Sequence, residues 1–185
     1  MSPRMPSFRT AGLEDVDAVV QLVESAYRGE SSLAGWTTEA HLLDGQRTDP
    51  EEVASLTRER QARLLLAQEA GELVGCVLVR ADREPEAGAP VTAHIGLFAV
   101  RPTLQTRGLG RALLAEAERV ARIELGAARA ELTVIEQRLD ILGWYERRGY
   151  ARTGATEPFP YDNPRAGLPR RADLRFLVLA KPLRP

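Results

Sequence analysis

The chain has 185 residues, is 44% hydrophobic and 28% charged, and carries a formal charge of −1. That length fits one domain and supports a core without disulfide or metal staples. The near-neutral charge leaves no global field to draw the chain onto nucleic acid or anionic lipid. One of the 25 cationic residues is a lysine, Lys181, so nearly all positive charge is guanidinium. Abundant alanine makes background composition the simplest reason. The planar guanidinium fork also suits phosphate and carboxylate recognition.

A single cysteine, Cys76, excludes an internal disulfide and a cysteine metal site, and fits a reducing, cytoplasmic setting. Mid-strand in an apolar run, it reads as a small core residue. The N-terminal MSPRMPSFRT lacks the apolar centre of a secretory signal, and no apolar run is long enough for a membrane span. His41 and His94 lie far apart, and nothing argues for a metal.

In chain order, Ser7–Ala11 reads as a first strand. A helix follows from Leu13 to about Tyr27, with Val16, Val19, Val20 and Val23 at helical spacing. Arg28–Trp36 reads as irregular. Thr37 or Thr38 would cap a short helix to Leu43, and Asp49-Pro50 opens another. Arg63–Gln68 and Leu73–Ala81 are Leu- and Val-rich runs around a hairpin signal at Glu69–Glu72. Thr92–Val100 is a further strand, and Gly108–Leu125 an amphipathic helix. Arg129–Ile135 reads as a strand, Leu139–Arg147 as a helix and Leu174–Leu179 as a last strand, with a short strand after Gly149. Two Pro/Gly-rich stretches, 83–90 and 156–171, read as long loops. The central hairpin speaks against a purely parallel sheet, so the fold class is α/β (α+β): a mixed sheet with helices on its faces.

The chemistry concentrates after the third run of strands. A strand ends at Val100, and Gln105-x-x-Gly108-x-Gly110 leads into a helix. Glycines there admit a close ligand, and the free N–H groups of a first helical turn suit phosphate oxygens. The loop lacks the GK[ST] ending of a P-loop, and Leu113 stands where a dinucleotide fingerprint needs its third glycine.

Gln105-x-x-Gly108-x-Gly110, placed between a strand ending Ala-Val and an amphipathic helix, resembles the coenzyme A loop of the GNAT N-acetyltransferase superfamily. Leu142-Gly-Trp-Tyr145-Glu-Arg-Arg-Gly149-Tyr150 resembles that family's L-Y-x-x-x-G-F element. Gly35–Glu39 (GWTTE) and YERRGY resemble a bacterial and fungal subset to which no substrate attaches here. The resemblance spans nearly the whole chain. It implies a three-layer fold over one domain, 1–185 with a core of about 7–182. The sheet would be splayed, mostly antiparallel and of six to seven strands. Acetyl-CoA would lie in a V-shaped gap between Thr92–Val100 and Arg129–Ile135. The implied reaction is direct acetyl transfer to a primary amine of a small molecule in a ternary complex. Alternatives are transfer to a protein or peptide amine, and a noncatalytic acyl-CoA-binding module. The implied partners are acetyl-CoA and an amine, with a homodimer allowed and neither nucleic acid nor membrane.

The resemblance also implies residue roles. Gln105, Thr106, Arg107, Gly108, Leu109, Gly110 and Arg111 would cradle the pyrophosphate. Phe98, Ala99 and Val100 would pair with the pantetheine arm, and the Val100 N–H would polarise the thioester carbonyl. Tyr145 would protonate the departing thiolate. His94, sharing a strand face with 96, 98 and 100 by the period of two, would be the general base, with Glu136 the runner-up. Arg138 stands where many relatives carry asparagine near the cofactor, and would instead approach a phosphate or an acidic substrate group. Trp36, Glu39 and Arg47 would border the acceptor pocket, with Phe159-Pro-Tyr161-Asp162 closing over it. A carboxylate there would hold the amine, and an aromatic wall would add cation–π contact.

Overall fold

The computed structural model describes residues 6–82 and 88–183. Most of the REPEAGAP loop, and the first five residues of the N-terminal stretch, lie outside the described residues. The chain runs β1 (Ser7–Thr10), α1 (Val16–Tyr27), α2 (Gly29–Ser32), β2 (Leu43–Asp44), α3 (Pro50–Arg58), β3 (Ala62–Glu69) and β4 (Glu72–Ala81). It continues through β5 (Thr92–Val100), α4 (Leu109–Ile123), β6 (Arg129–Ile135), α5 (Leu139–Glu146), β7 (Ala151–Pro158), β8 (Leu168–Pro169) and β9 (Arg175–Pro182). Seven strands form one sheet in the order β1-β3-β4-β5-β6-β9-β7, and β2 pairs with β8 separately. Every pairing is antiparallel except β5 with β6.

Alternation along β3 sorts the core into two layers. Leu64 and Leu66 face Val19, Val23, Val53 and Leu56 of α1 and α3. Leu65 and Ala67 face Leu113, Leu114, Ala117 and Val120 of α4. Helices therefore cover both faces, as the mixed-sheet reading expects. A third cluster joins Leu42, Leu43, Ile135, Phe159 and Leu174 below the end of β6. Asp49 caps α3, its side chain accepting the Glu52 N–H at 2.9 Å ahead of Pro50.

Two features position the site. β5 and β6 pair over three residues, ending at His94↔Glu131, and the strands then part. This is the splayed gap. The second is a bulge: Leu97 takes φ 46°, and between Cys76↔Ala99 and Leu78↔Gly96 two β5 residues oppose Val77. The bulge reverses the alternation. Ala93 and Ile95 face the α4 layer, yet Leu97 and Ala99 face the α1 layer, which returns Phe98 and Val100 to the α4 side.

The segment 37–43 does not form the expected helix. Its backbone is claimed by tertiary partners, leaving one turn in which Leu42 and Leu43 N–H groups share the Glu39 carbonyl. A short helix, α2, forms instead in the stretch read as irregular.

Candidate active site

The gap between β5 and β6 opens into a cavity of about 800 Å³. Its walls are Ile95–Phe98 and Val100 of β5 and Leu132–Ile135 of β6. One end is bordered by Thr106, Gly108, Gly110 and Arg111, with Trp144, Tyr145, Arg147 and Arg148 of the α5 region. The other is bordered by Tyr27, Arg28, Trp36, Thr37, Glu39, Leu43 and Arg47, with Phe159, Ala166 and Phe176.

At the loop end, Gly108 is left-handed (φ 86°) and stands as the N-cap of α4 with no side chain capping the helix. Glycine is required there by conformation, not crowding, since a Cβ would meet nothing within 4 Å. Thr106 takes φ 73°, an uncommon value for a side-chain-bearing residue. The first-turn N–H groups of α4 have no partner within the helix, which makes an anion site. Arg111, Arg147 and Arg148 add guanidiniums; the Arg148 value is lowered by burial and by its two arginine neighbours. Arg148 stacks 3.6 Å over the Trp144 ring and donates to the Trp144 carbonyl at 2.7 Å. Arg107 and Leu109 do not reach the cavity. Arg107 is 55% exposed and 3.9 Å from Glu69, and Leu109 is buried in the core.

On β5, the bond from the Arg101 N–H to the Val74 carbonyl (2.9 Å) makes Val100↔Gly75 a non-hydrogen-bonded pair. The N–H and C=O of Val100 therefore turn away from β4 and into the gap. Its carbonyl accepts Gln105 Nε2 at 3.0 Å, leaving the N–H for a ligand. The Phe98 carbonyl accepts the Tyr27 hydroxyl. Ala99 is buried against the α1 layer.

Tyr145 is 8% exposed, lines the cavity and packs edge-on against Phe98, Trp144 and Tyr150. Among the described residues its hydroxyl has no hydrogen-bond partner. Burial pushes the phenol well above its ordinary value, so it holds its proton.

Gln105 and Arg138 turn out to be internal clamps. Gln105 Oε1 accepts the Trp36 N–H at 2.9 Å, and Nε2 donates to Thr37 Oγ1 at 2.8 Å as well as to Val100. Arg138, 4% exposed, donates to the carbonyls of Trp36, Thr37 and Thr38 and through Nε and Nη2 to Asp140. Those five bonds match its five N–H donors, so none is left for a cofactor phosphate. Both side chains anchor Trp36–Thr38 across the gap.

The two expected bases lie elsewhere. The Leu97 bulge overturns the shared face of 94, 96, 98 and 100. His94 sits where β5 and β6 still pair, is 48% exposed, and its Nε2 contacts Asp82 at 2.7 Å. Glu136 lies outside the cavity. Two Arg175 hydrogen bonds of 2.6 Å hold its carboxyl below the usual range. Tyr161 is also outside: its hydroxyl accepts the Leu174 N–H, and its ring packs 5.1 Å from Phe159, which does line the cavity. Trp36, Glu39 and Arg47 line the cavity. The sequence reading missed Tyr27, Arg28, Trp144, Arg147 and Arg148. Arg147 and Arg148 carried a signal, standing inside YERRGY; Tyr27 and Arg28 ended an ordinary helix and carried none.

The model of the acetyltransferase (GNAT) family matches residues 21–150. The chain belongs to the GNAT acetyltransferase family. No curated protein matches it in sequence. Among solved structures, it is similar to yncA of Salmonella typhimurium, described as an acetyltransferase with its cofactor acetyl-CoA. That likeness has 19% identity and TM-score 0.70, covering 98% of this chain and 96% of that one. It is also similar to a ribosomal-protein-alanine N-acetyltransferase of Brucella melitensis, with 20% identity and TM-score 0.69, covering 95% and 99%. A spermidine N-acetyltransferase chimera of Vibrio cholerae SpeG matches at 14% identity and TM-score 0.66, covering 97% and 96%. At these identities the likeness shows the GNAT fold. Among the described residues, no helix is long and apolar enough to cross a membrane, and no group of three His, Cys, Asp or Glu gathers as a metal site.

Proposed function

We propose that this GNAT acetyltransferase moves an acetyl group from acetyl-CoA to a primary amine of a small molecule by direct attack in a ternary complex. The observation that carries this reading is the unpartnered Tyr145 hydroxyl in a cavity that the α4 anion site and Val100, with its free N–H, also line. The cavity fits the cosubstrate. Backbone N–H groups at Gly108–Arg111, with Arg111, Arg147 and Arg148, would hold its phosphates, and the β5 edge at Val100 its pantetheine arm.

Bound acetyl-CoA supplies the activated thioester. The Val100 N–H donates to the thioester oxygen, where negative charge develops during attack. Tyr145 donates a hydrogen bond to the sulfur as the C–S bond breaks. Reference values of about 10 for a phenol and 8.5 for a thiol make full proton transfer uphill by a small margin, and the raised Tyr145 value widens it. Tyr145 thus acts by hydrogen bonding as the charge forms. Glu39 is the carboxylate at the acceptor end, placed to hold the incoming ammonium and take its proton. His94 and Glu136 have no part in this reading. The Gly35–Glu39 and YERRGY stretches mark a subset of the family on the same reading, with the first held by Gln105 and Arg138.

The test is incubation with acetyl-CoA and a panel of small amines while free thiol is monitored. Amine-dependent thiol release is expected. Tight acetyl-CoA binding with no release on any amine would overturn the reading in favour of an acyl-CoA-binding module.

A further inference from the structure

The acceptor end of the cavity has more positive charge than an amine pocket needs. Arg28, Arg47 and the carboxylate Glu39 all border it. Arg28 is 5% exposed. Its Nη1 donates to Glu39 Oε2 at 2.7 Å and to the Tyr27 carbonyl at 3.3 Å. Its Nε and Nη2 are buried with no hydrogen-bond partner. That leaves three N–H hydrogens on one face of the guanidinium unsatisfied in a desolvated place.

Gly167 packs close to Nη2. Gly167 takes φ 102°, and a Cβ built on it would come within 3.1 Å of Nη2. Gly167 follows Ala166, which lines the cavity. The Arg47 guanidinium lies 5.7 Å from the centre of the Tyr27 ring and has no ion pair among the described residues.

An acceptor carrying only ammonium would meet two guanidiniums and one carboxylate, a field that repels it. An acceptor carrying both charges fits. Its ammonium would lie against Glu39, and its carboxylate would take the free fork of Arg28, with Arg47 adding charge. Leu43, Phe159 and Phe176 would then receive an apolar side chain. Resting on the acetyltransferase reading above, we infer that the acceptor is a zwitterionic α-amino acid whose carboxylate is recognised by Arg28. The step forms one N–C bond and breaks one C–S bond; of the two protons the ammonium nitrogen loses, one passes to Glu39 and the other balances the proton that the departing thiolate takes.

The experiment compares each proteinogenic L-amino acid with the amine that it gives on decarboxylation, as acceptors with acetyl-CoA. The expected result is a kcat/KM at least about tenfold higher for one or more amino acids than for the matched amine. Arg28→Gln and Arg47→Gln should each raise KM for the amino acid more than for the amine, and Arg28→Lys should restore part of the difference. The variant at Arg47, which is only partly buried, keeps the test valid if Arg28→Gln fails to fold. Equal or better use of the decarboxylated amines overturns this inference and leaves the acetyltransferase standing. Thiol release with neither series overturns it too, and release from the wider amine panel then decides separately whether acetyl transfer stands. Variants that leave the amino-acid preference intact overturn the assignment to these arginines.

Discussion

At the scale of a residue, the contrast between Tyr145 and Cys76 shows how burial sets reactivity. Cys76 is fully buried, lies 3.5 Å from the Leu97 carbonyl, and has its thiol pushed up to about 12. Desolvation leaves it an inert core group. Tyr145 is raised by the same cause, yet it lines the cavity, so its hydroxyl keeps its proton and stays a hydrogen-bond donor. The sign follows: a phenol raised above its ordinary value stays protonated at every pH up to about 10, so it contributes no limb to a rate profile below that. Tyr145→Phe should lower kcat by about 10–100-fold with acetyl-CoA affinity kept and the profile below pH 9 unchanged in shape. Steady-state kinetics and titration calorimetry read this. Unchanged turnover removes the donor role.

At the scale of an element, the segment Trp36–Thr38 is shaped by partners rather than by its own propensity. Thr37, Thr38 and Glu39 read locally as a helix start, but Arg138 takes three consecutive carbonyls and Gln105 takes the Trp36 N–H. Those partners lie about a hundred and about seventy residues away in sequence, so no local pattern discloses them. The bulge at Leu97 is equally silent: the run Thr92–Val100 is a clear strand, and nothing in it announces that the alternation reverses midway. That one backbone event separates His94 from Phe98 and Val100. The strands β3 to β6 and the helices α4 and α5 are legible in the sequence because each rests on local periodicity. For the clamp, Arg138→Met should cost about 3 kcal/mol, near 1 kcal/mol for each carbonyl left without its donor, and should raise KM for the acceptor. Gly35→Ala should act on the same clamp from the other side, because its Cβ would stand 2.7 Å from Gln105 Oε1. Chemical denaturation measures both. Either variant at wild-type stability removes the clamp.

At the scale of the whole molecule, the cavity follows from how little joins its two halves. β5 and β6 share three residue pairs, while β3–β4 on one side and β6–β9 on the other pair over eight and seven. The resemblance to the GNAT family implied which strands part, and the glycines and helix entry of the 105–110 motif pointed to the loop that borders the gap, because those are local signals. It did not disclose the acceptor end, which is assembled from the end of α1, the segment before β2, and the residues around Phe159 and Ala166. A ligand spanning the gap would bind both halves at once, and one that binds the folded state alone stabilises it by mass action. At a hundredfold excess over Kd, acetyl-CoA should add about 2.7 kcal/mol, which for a chain of this length raises Tm by about 5–10 °C. The shift should shrink with added salt, since on the proposed reading Arg111, Arg147 and Arg148 would meet the phosphates as partly exposed charges. It should shrink further in Gly108→Val, where a β-branched residue is forced into the left-handed region and the loop must move. Thermal melts with and without acetyl-CoA, at low and high salt, measure both effects. A Tm that ignores acetyl-CoA in the wild type would show that the gap is not its site.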